Sequence, residues 1–504
     1  MFEPIKFLRE LIHSMDKSEI PSALEIGQAL RQWLPESAIL TTPESKRPYE
    51  TDGLSAYRQM PYVVVLPATE KEVQAVLRYC HVLRIPVVAR GAGTGLSGGA
   101  LPHESGVLLS LARLKNILQV DPLARTVRVQ PGVRNLAITQ AVDAHGLFYA
   151  PDPSSQIACS IGGNVAENSG GVHCLKYGLT LHNILRLRIL TITGEVVEIG
   201  SEAPDSAGFD FMALLTGSEG LLAIVTEVTV KVIPKPMVSK VIMASFEMVE
   251  KAGDAVACMI AAGIIPAGLE MMDSLATRAA EDFVHAGYPV EAAAVLLCES
   301  DGMPEVVEDE LARMKTILEE NGATEIRVAR DEAERLRFWA GRKAAFPAVG
   351  RLAPDYYCID GTIPRRRLGE VLRQIADWSL EYGLEVANVF HAGDGNLHPL
   401  ILYDAGVPGE FHKTEELAGR ILELCVEVGG TITGEHGVGV EKINQMCVQF
   451  GLNEITVFHG IKAAFDPEGL LNPGKAIPTL QRCAEGGRMH VHHNQLPHPE
   501  LSRF

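Results

Sequence analysis

The stretch from Val87 to Ala100 constrains this chain most, because it places five glycines within nine residues directly after a β-branched apolar run. A backbone without Cβ atoms can turn sharply and bring successive N–H groups close to an anion. Arg90 adds a positive charge, and the stretch also supplies the hydroxyl groups of Thr94 and Ser97. It therefore predicts an anion-binding loop with a diphosphate as its ligand; the alternative is a mobile glycine linker between two strands.

Gly93 to Gly98 also matches the G-x-G-x-x-G fingerprint of Rossmann folds. A Rossmann loop opens directly into a helix, whereas this chain runs on to Pro102 and a second apolar run at 106–111. The acidic residue expected about twenty positions later coincides with Asp121, which stands before Pro122 in a predicted turn. We therefore reject a Rossmann fold.

Length and composition set the outer limits. A chain of 504 residues is expected to form two or three domains. Its 63 acidic against 45 basic residues give a formal charge of −18, which argues against a nucleic-acid or anionic-membrane surface. We find no signal-peptide core and no apolar run of membrane-spanning length.

The nine cysteines are odd in number and form no C-x-x-C pair, which indicates a reducing compartment. We therefore expect a cytoplasmic protein. No four of the cysteines have the spacing of iron–sulfur ligands, so any such cluster would belong to another subunit.

Alternating strand and helix patterns run along most of the chain. Residues 1 to about 45 predict two amphipathic helices, and Thr69 is expected to cap a third. A further helix is predicted near 133–145, a hairpin turn at Gly194, and a domain boundary at Pro234 and Pro236. The strands are predicted at 62–66, 106–111, 126–129, 185–193, 196–199, 223–233, 238–246, 268–272 and 293–299, with a helix near 249–262 among the last three.

A second glycine-rich region extends from Ala150 to Gly178, with its glycines concentrated at 162–163 and 170–171. Two glycine-rich regions within about one hundred residues suit a long ligand that is held at several points. A dinucleotide fits this pattern better than a mononucleotide.

Histidines and a carboxylate occur in two glycine-containing segments, 389–399 and 434–439. His391, His398 and Glu435 would make a two-histidine, one-carboxylate set that suits a divalent metal with open positions. The competing interpretation is a structural turn around Gly434 and Gly437. The residues alone leave both interpretations open.

Together these motifs resemble a known family. Arg90 to Gly95, Pro151 to Pro153, Gly162 to Asn164 and Lys176 to Gly178 look like the FAD-binding domain of vanillyl-alcohol-oxidase-type flavoproteins. The resemblance covers about residues 50–475. It implies an α+β fold: a two-subdomain FAD-binding domain of the p-cresol-methylhydroxylase type, followed by an FAD-linked oxidase C-terminal substrate domain. The implied division is a helical segment at 1–49, these two domains at 50–235 and 236–475, and a tail at 476–504.

The resemblance assigns a cofactor-binding role to two groups of residues, with the diphosphate at 90–99 and the flavin and ribityl chain along 151–166. The implied FAD-binding residues are Arg90, Gly91, Ala92, Gly93, Thr94, Gly95, Leu96, Ser97, Pro151, Asp152, Ser154, Ser160, Gly162, Gly163, Asn164, Ala166, Gly171 and Tyr177. Some members attach the flavin through a histidine in the glycine loop. Since 90–99 contains none, we expect non-covalent FAD.

The family's D-2-hydroxyacid dehydrogenases bind a divalent metal (Zn, Mn or Fe) through the residues that match His391, His398 and Glu435. The resemblance further implies that His436 is the general base and that Arg342 binds the substrate carboxylate. Members that oxidise 2-hydroxyglutarate carry polar residues at the positions of Cys358 and Leu400, so this chain is expected to take a shorter hydroxyacid.

The expected reaction is oxidation of glycolate to glyoxylate, and of D-lactate to pyruvate, by hydride transfer to FAD. The resemblance implies electron transfer to a second FAD-binding-type subunit and an iron–sulfur subunit, in a complex at the inner membrane. Two alternatives remain: a stand-alone D-lactate dehydrogenase that reduces quinone or cytochrome, and a non-catalytic flavin-binding subunit.

Overall fold

The structure, a computed structural model, describes residues 20–201, 203 and 208–486. The first of the two predicted N-terminal helices falls mainly on residues outside this part of the chain, as does most of the predicted tail. The second helix forms at Ala23–Leu30, where the Ser22 hydroxyl accepts the Glu25 N–H and the Glu25 carboxylate accepts the Ser22 N–H. It buries Ile26 and Leu30.

The first sheet carries the glycine-rich loop. Its four strands are short and mostly buried, since they consist largely of Val and Leu. They are β1 (Ile39–Leu40), β2 (Val63–Val65), β3 (Val87–Arg90) and β4 (Val107–Ser110), in the order β1-β2-β4-β3. Strands β2 and β3 both run parallel to β4. The predicted Thr69-capped helix forms at Glu70–Val82, and after the glycine loop the chain enters β4 rather than a helix, so the rejection of a Rossmann fold is confirmed.

The second sheet is antiparallel. Its strands are β5 (Ile117–Asp121), β6 (Thr126–Val129), β8 (Ile184–Leu190), β9 (Val196–Gly200) and β10 (Ile224–Lys231), in the order β5-β6-β10-β8-β9, while β7 (Leu147–Phe148) pairs separately with β11 (Ile233–Pro234). The predicted hairpin is confirmed, because Gly194 turns with φ +73° between β8 and β9. The helices of this region are Asn135–Val142, Ile161–Glu167, Cys174–Tyr177 and Phe211–Leu215.

A seven-stranded sheet follows Pro234. Its strands are β12 (Val238–Phe246), β13 (Gly268–Asp273), β14 (Ala294–Gly302), β15 (Glu325–Val328), β16 (Asp355–Cys358), β18 (Val386–Phe390) and β20 (Pro399–Tyr403), in the order β15-β12-β14-β13-β18-β20-β16, while β17 (Gly361–Thr362) pairs with β19 (Asn396–Leu397). The helices are Val249–Ala261, Ser274–Val284, Pro304–Glu320, Glu332–Val349, Leu368–Tyr382, Glu410–Glu427, Met446–Gln449, Leu452–Phe465 and Leu480–Gly486. The predicted strands at 238–246 and 268–272 are confirmed, and the strand near 293–299 extends to Gly302.

The chain returns to the first sheet near Leu470. Leu470 and Leu471 are buried in the core beneath β3, and the Val87 N–H donates to the Leu470 carbonyl. Nearby, the Val440 N–H donates to the Ser97 carbonyl at 3.0 Å. The bond from Val440 holds the loop after Glu435 against the glycine-rich loop.

A disulfide joins Cys447 to Cys483, whose Cα atoms lie 5.1 Å apart. The expectation that the thiols remain reduced is therefore wrong for this pair. The two residues are 36 positions apart in sequence, and they meet because the helix Leu480–Gly486 packs on Met446–Gln449. The other seven cysteines are free.

Candidate functional site

A cavity of about 670 Å³ lies between the glycine-rich loop and the seven-stranded sheet. One wall is formed by residues of 89–96 and of 159–169, most of which are glycine, alanine or serine. The opposite wall carries the side chains of Arg342, His391 and His436. The volume lies within the range of small-molecule sites, about 300 to 1,000 Å³, so a single space connects the predicted cofactor loop with the predicted catalytic residues.

Most of the predicted FAD-binding residues line this cavity. They are Arg90, Gly91, Ala92, Gly93, Thr94, Gly95, Leu96, Ser154, Ser160, Gly162, Gly163, Asn164 and Ala166. The structure thus brings both glycine-rich regions of the sequence to one ligand-sized space.

Five predicted residues have other positions. The carbonyl of Ser97 accepts the N–H groups of the 440–441 turn, and the carbonyl of Pro151 accepts Asn135 Nδ2. Asp152 pairs with His173 Nδ1 at 2.8 Å. Gly171 lines a separate cavity of about 250 Å³, which meets the first one at His391 and Glu435. Tyr177 donates its hydroxyl to Asp301 at 2.7 Å.

The loop requires glycine at two positions, because neighbouring protein atoms leave no room for a Cβ there. Gly93 has φ +73°, and a Cβ there would collide with the Arg90 guanidinium group. A Cβ at Gly91 would collide with Ser160 Oγ, which is buried and has no hydrogen-bond partner among the described residues. Arg90 itself donates to the Thr51 carbonyl at 2.7 Å. An open backbone cradle with an unpaired hydroxyl fits an anionic ligand such as the diphosphate of FAD.

The predicted metal ligands converge on one point. Glu435 Oε1 lies 3.0 Å from His398 Nε2 and 3.3 Å from His391 Nε2. One ligand atom from each of the three residues lies within 4.8 Å of the others. Two imidazole nitrogens and a carboxylate oxygen at this spacing suit a divalent transition metal.

Neighbouring acceptors fix both histidine rings. His391 Nδ1 lies 2.7 Å from Glu270 Oε1, and His398 Nδ1 lies 3.3 Å from the Ile359 carbonyl. Each contact places the N–H on Nδ1 and leaves the Nε2 lone pair directed towards Glu435, as metal-binding histidines require. The donor set therefore fits a metal ion.

Cys358, His398 and His436 form a second, overlapping group of potential ligands. The Cys358 sulfur donates to the Ile359 carbonyl, and burial raises the pKa of this thiol well above its usual value. Because the thiolate is the form that binds metal, the first group is the better site.

His436 stacks on His398, with ring centroids 4.8 Å apart and 15° between the planes. Its Nδ1 is buried and has no hydrogen-bond partner among the described residues. Burial lowers the pKa of His436 to about 4, although the nearby Asp360 carboxylate acts in the opposite direction. The ring is therefore neutral near pH 7 and has a free lone pair.

Asp360 holds the loop that carries Glu435 and His436. Its buried carboxylate accepts the N–H groups of Gly434 and His436 at 3.0 and 2.9 Å, and Lys442 Nζ lies 3.2 Å away. The Lys442 charge keeps the pKa of Asp360 well below its usual value despite burial. The carboxylate thus stays ionised and fixes the loop backbone.

Arg342 is only 2% exposed and lines the cavity. Its Nη2 lies 2.6 Å from Glu270 Oε2, yet Nε and Nη2 lack a well-aligned hydrogen-bond acceptor. A guanidinium group with free donors is suited to a carboxylate ligand. The two oxygens of Glu270 thus contact different residues: Oε1 contacts His391 and Oε2 contacts Arg342.

Sequence reasoning missed three carboxylates of this site: Glu270, Glu167 and Glu219. Glu270 lies in an apolar strand, Gly268–Asp273, without any motif around it. Glu167 and Glu219 both line the cavity. Glu167 and Glu219 lie in the glycine-rich segments 162–171 and 217–220, and this glycine content is the sequence feature that could have placed them near the cofactor.

Comparison with known proteins agrees with this arrangement. Residues 61–200 match the model of a family described as an FAD binding domain. Residues 235–476 match the C-terminal domain of FAD linked oxidases. The chain belongs to the FAD-linked oxidase family. It is therefore a flavin-dependent oxidoreductase, as the sequence motifs predict.

Several relatives match over nearly their whole length. The glycolate oxidase subunit GlcD of Escherichia coli K12 is 67% identical over 94% of this chain and 95% of its own. GlcD of Bacillus subtilis is 40% identical over 85% and 91%. A D-lactate dehydrogenase of Anaerostipes hadrus is 33% identical over 88% and 95%.

Solved structures with low sequence identity share the fold. p-Cresol methylhydroxylase superposes with a TM-score of 0.75 at 17% identity, covering 91% of this chain and 97% of its own. Alkyldihydroxyacetonephosphate synthase gives 0.71 at 18% identity, covering 92% and 88%. The predicted fold class is confirmed. Within residues 20–201, 203 and 208–486, none of the helices combines the length and the apolarity that crossing a membrane requires.

Proposed function

We propose that this protein oxidises glycolate to glyoxylate, and D-lactate to pyruvate, with non-covalently bound FAD as the hydride acceptor. The observation that carries the proposal is the joining of the glycine cradle and the histidine–carboxylate cluster in one cavity. The names of the GlcD relatives support glycolate as the substrate.

Arg342 binds the substrate carboxylate in this proposal. Its Nε and Nη2 lack a well-aligned acceptor and suit a two-oxygen acceptor such as a carboxylate, and the contact with Glu270 fixes the side chain. Cys358 and Leu400 are buried and supply no charge for a second carboxylate, which favours a short hydroxyacid. Phe346 adds apolar surface to the cavity wall.

His436 acts as the general base and accepts the proton of the substrate hydroxyl group. A neutral imidazole with a free lone pair is the form that this step requires. Asp360 positions it through the backbone N–H of His436, and stacking on His398 fixes the ring plane. The base and the proposed carboxylate-binding residue therefore occupy the same wall of the cavity.

His391, His398 and Glu435 would hold a divalent metal, with Zn, Mn and Fe as the candidates. Such an ion supplies Lewis acidity that makes a bound hydroxyl group easier to deprotonate. FAD supplies the hydride acceptor. The protein's own contribution is to orient the substrate by Arg342 and to receive its proton at His436.

The GlcD relatives are named as subunits, so a complex is implied for them. We propose that this chain likewise passes electrons to a second FAD-binding-type subunit and an iron–sulfur subunit, in the cytoplasm at the face of the inner membrane. The second candidate function is that of a stand-alone D-lactate dehydrogenase, which the Anaerostipes hadrus relative favours.

The test is to purify the chain, measure FAD and metal content, and follow flavin bleaching without oxygen after adding glycolate, D-lactate or L-lactate. Bleaching by glycolate and D-lactate but not by L-lactate is expected. Bleaching by D-lactate alone favours the second candidate. A flavin that none of the three acids reduces contradicts the proposal and favours a non-catalytic subunit.

A further inference from the structure

Two carboxyl groups, those of Glu167 and Glu219, lie together where the glycine-rich loop meets the 434–439 loop. A Cβ placed on Gly99 would lie 2.9 Å from Glu167 Oε1 and 3.5 Å from Glu219 Oε2. A Cβ on Gly437 would likewise contact both carboxyl groups. Both side chains line the main cavity. The reaction described above uses neither of them.

The two carboxyl groups have unequal partners. Glu219 accepts the N–H groups of Val438 and Gly439 at 2.7 and 2.8 Å, and two such donors favour its ionised form. Glu167 Oε2 is buried and has no hydrogen-bond partner among the described residues. Of the pair, Glu167 is therefore the group whose buried oxygen receives no hydrogen bond from the described residues.

The surrounding charges act on Glu167 in both directions. Burial, followed by the charges of Glu219 and Asp52, raises the pKa of Glu167 well above its usual value, whereas Lys442 and Lys475 act to lower it. Both lysines are engaged elsewhere. Lys442 Nζ contacts Asp360 and the Gly437 carbonyl, and Lys475 Nζ donates to the carbonyls of Gly99 and Leu101.

We propose that Glu167 is protonated and donates a hydrogen bond to an oxygen of bound FAD beside the glycine-rich loop. An ionised carboxylate would repel the anionic diphosphate that this loop is shaped to hold. A protonated carboxyl group instead supplies a donor from the same position and completes its own hydrogen bonding. Glu167 is thus a cofactor-positioning residue, and the inference rests on the FAD-binding part of the proposed function.

The sign of the pH dependence follows by linkage. FAD binds better to the protonated form, so its affinity is highest below the raised pKa of Glu167 and falls as the pH rises through it. When FAD binding raises the pKa of Glu167 by one further unit, the affinity for FAD falls about tenfold between the protonated and the ionised form of Glu167.

The experiment measures FAD affinity from the fluorescence of released flavin between about pH 5.5 and about pH 9, above the usual pKa of a glutamate carboxyl group, because burial raises the pKa of Glu167. The wild type is compared with Glu167→Gln, which keeps a donor but cannot ionise, and with Glu195→Gln as a control at an exposed site. Affinity is expected to fall about tenfold or more with rising pH in the wild type and the control. Glu167→Gln is expected to abolish this fall. Infrared spectra near neutral pH should contain the carbonyl band of a protonated carboxyl group that Glu167→Gln removes.

A wild-type affinity that is independent of pH, or a fall that persists unchanged in Glu167→Gln, overturns the proposal. The same holds if the infrared band is absent from the wild type. These readouts are independent of substrate turnover. A wild type that binds FAD but oxidises no hydroxyacid contradicts the proposed function and leaves the test of Glu167 intact.

Discussion

The two walls of the cavity are built by different means. The glycine-rich loop presents backbone, and its Gly91 and Gly93 leave no room for side chains beside Ser160 and Arg90. The histidine–carboxylate cluster presents side-chain atoms, each oriented by a second residue such as Glu270. The loop therefore depends on the absence of Cβ atoms, whereas the cluster depends on the identity of individual nitrogen and oxygen atoms.

This difference predicts that damage to each wall has a separate effect. Changes in the cluster should stop the reaction and leave the flavin bound, because the diphosphate-binding loop is not altered. Changes in the loop should release the flavin and leave the metal ligands in place.

The largest expected effect is that of His436→Ala. Loss of the general base should lower the rate of flavin reduction by glycolate about 100- to 10,000-fold, the usual contribution of such a group. FAD content should remain that of the wild type. His145→Ala, at an exposed histidine, is the control and should react normally. Normal flavin reduction in His436→Ala would exclude this residue as the base.

Glu270→Gln should have the next largest effect. The change removes the negative charge of the carboxylate that contacts both His391 Nδ1 and Arg342 Nη2. Loss of an outer partner of a metal ligand typically costs about 10- to 100-fold in metal affinity. Metal content is measured after dialysis against a graded series of chelator concentrations, with Glu195→Gln, at an exposed glutamate, as the control. An unchanged chelator profile would show that Glu270 does not support a metal site.

Gly93→Ala tests the opposite wall. The alanine must adopt φ near +73° and its Cβ meets the Arg90 guanidinium. Because the Arg90 guanidinium or the loop backbone beside the cavity must shift, we expect FAD binding to weaken by about 1–2 kcal/mol, which is about 5- to 30-fold in affinity, while metal content is unchanged. Gly383→Ala has a similar φ of +66° without any steric contact, and it should retain normal FAD affinity. Equal FAD affinity in Gly93→Ala and Gly383→Ala would contradict the proposal that the glycine-rich loop binds FAD.

The smallest expected effect on either wall is that of Cys483→Ser. Removing the bond to Cys447 should lower thermal stability, because a disulfide of this kind contributes about 2–4 kcal/mol. FAD content and flavin reduction should not change. The measurement is a thermal denaturation curve, with Cys258→Ser as the control at a free, exposed cysteine. A melting temperature equal to that of the wild type would show that this link does not stabilise the protein.

The same difference explains what the sequence could reveal. The glycine loop is contiguous, so its spacing predicted both the cradle and the absence of a following helix. The strand 238–246 was predicted from the alternation of strand and helix patterns that follows Pro234 and Pro236. The proposed metal ligands His391, His398 and Glu435 were predicted from short motifs together with the family resemblance, and the structure places their ligand atoms close together.

Other features of the fold and of the candidate site depend on tertiary contacts that no local sequence pattern encodes. Glu270 is an isolated carboxylate in an apolar strand, and only the pairing of this strand with β18 brings it to His391. Asp152 and Tyr177 belong to the predicted cofactor region, yet their polar atoms pair with His173 and Asp301. The disulfide required the packing of two short helices at the end of the chain.

The central claim is that the side-chain cluster carries out hydroxyacid oxidation on a flavin held by the backbone loop. Its most direct test is the rate of anaerobic flavin reduction by glycolate in the wild type and in Glu435→Gln, at equal FAD content. We predict a rate at least about 100-fold lower in the variant, since Lewis-acid assistance contributes several kcal/mol. Equal rates in the two proteins would contradict the account.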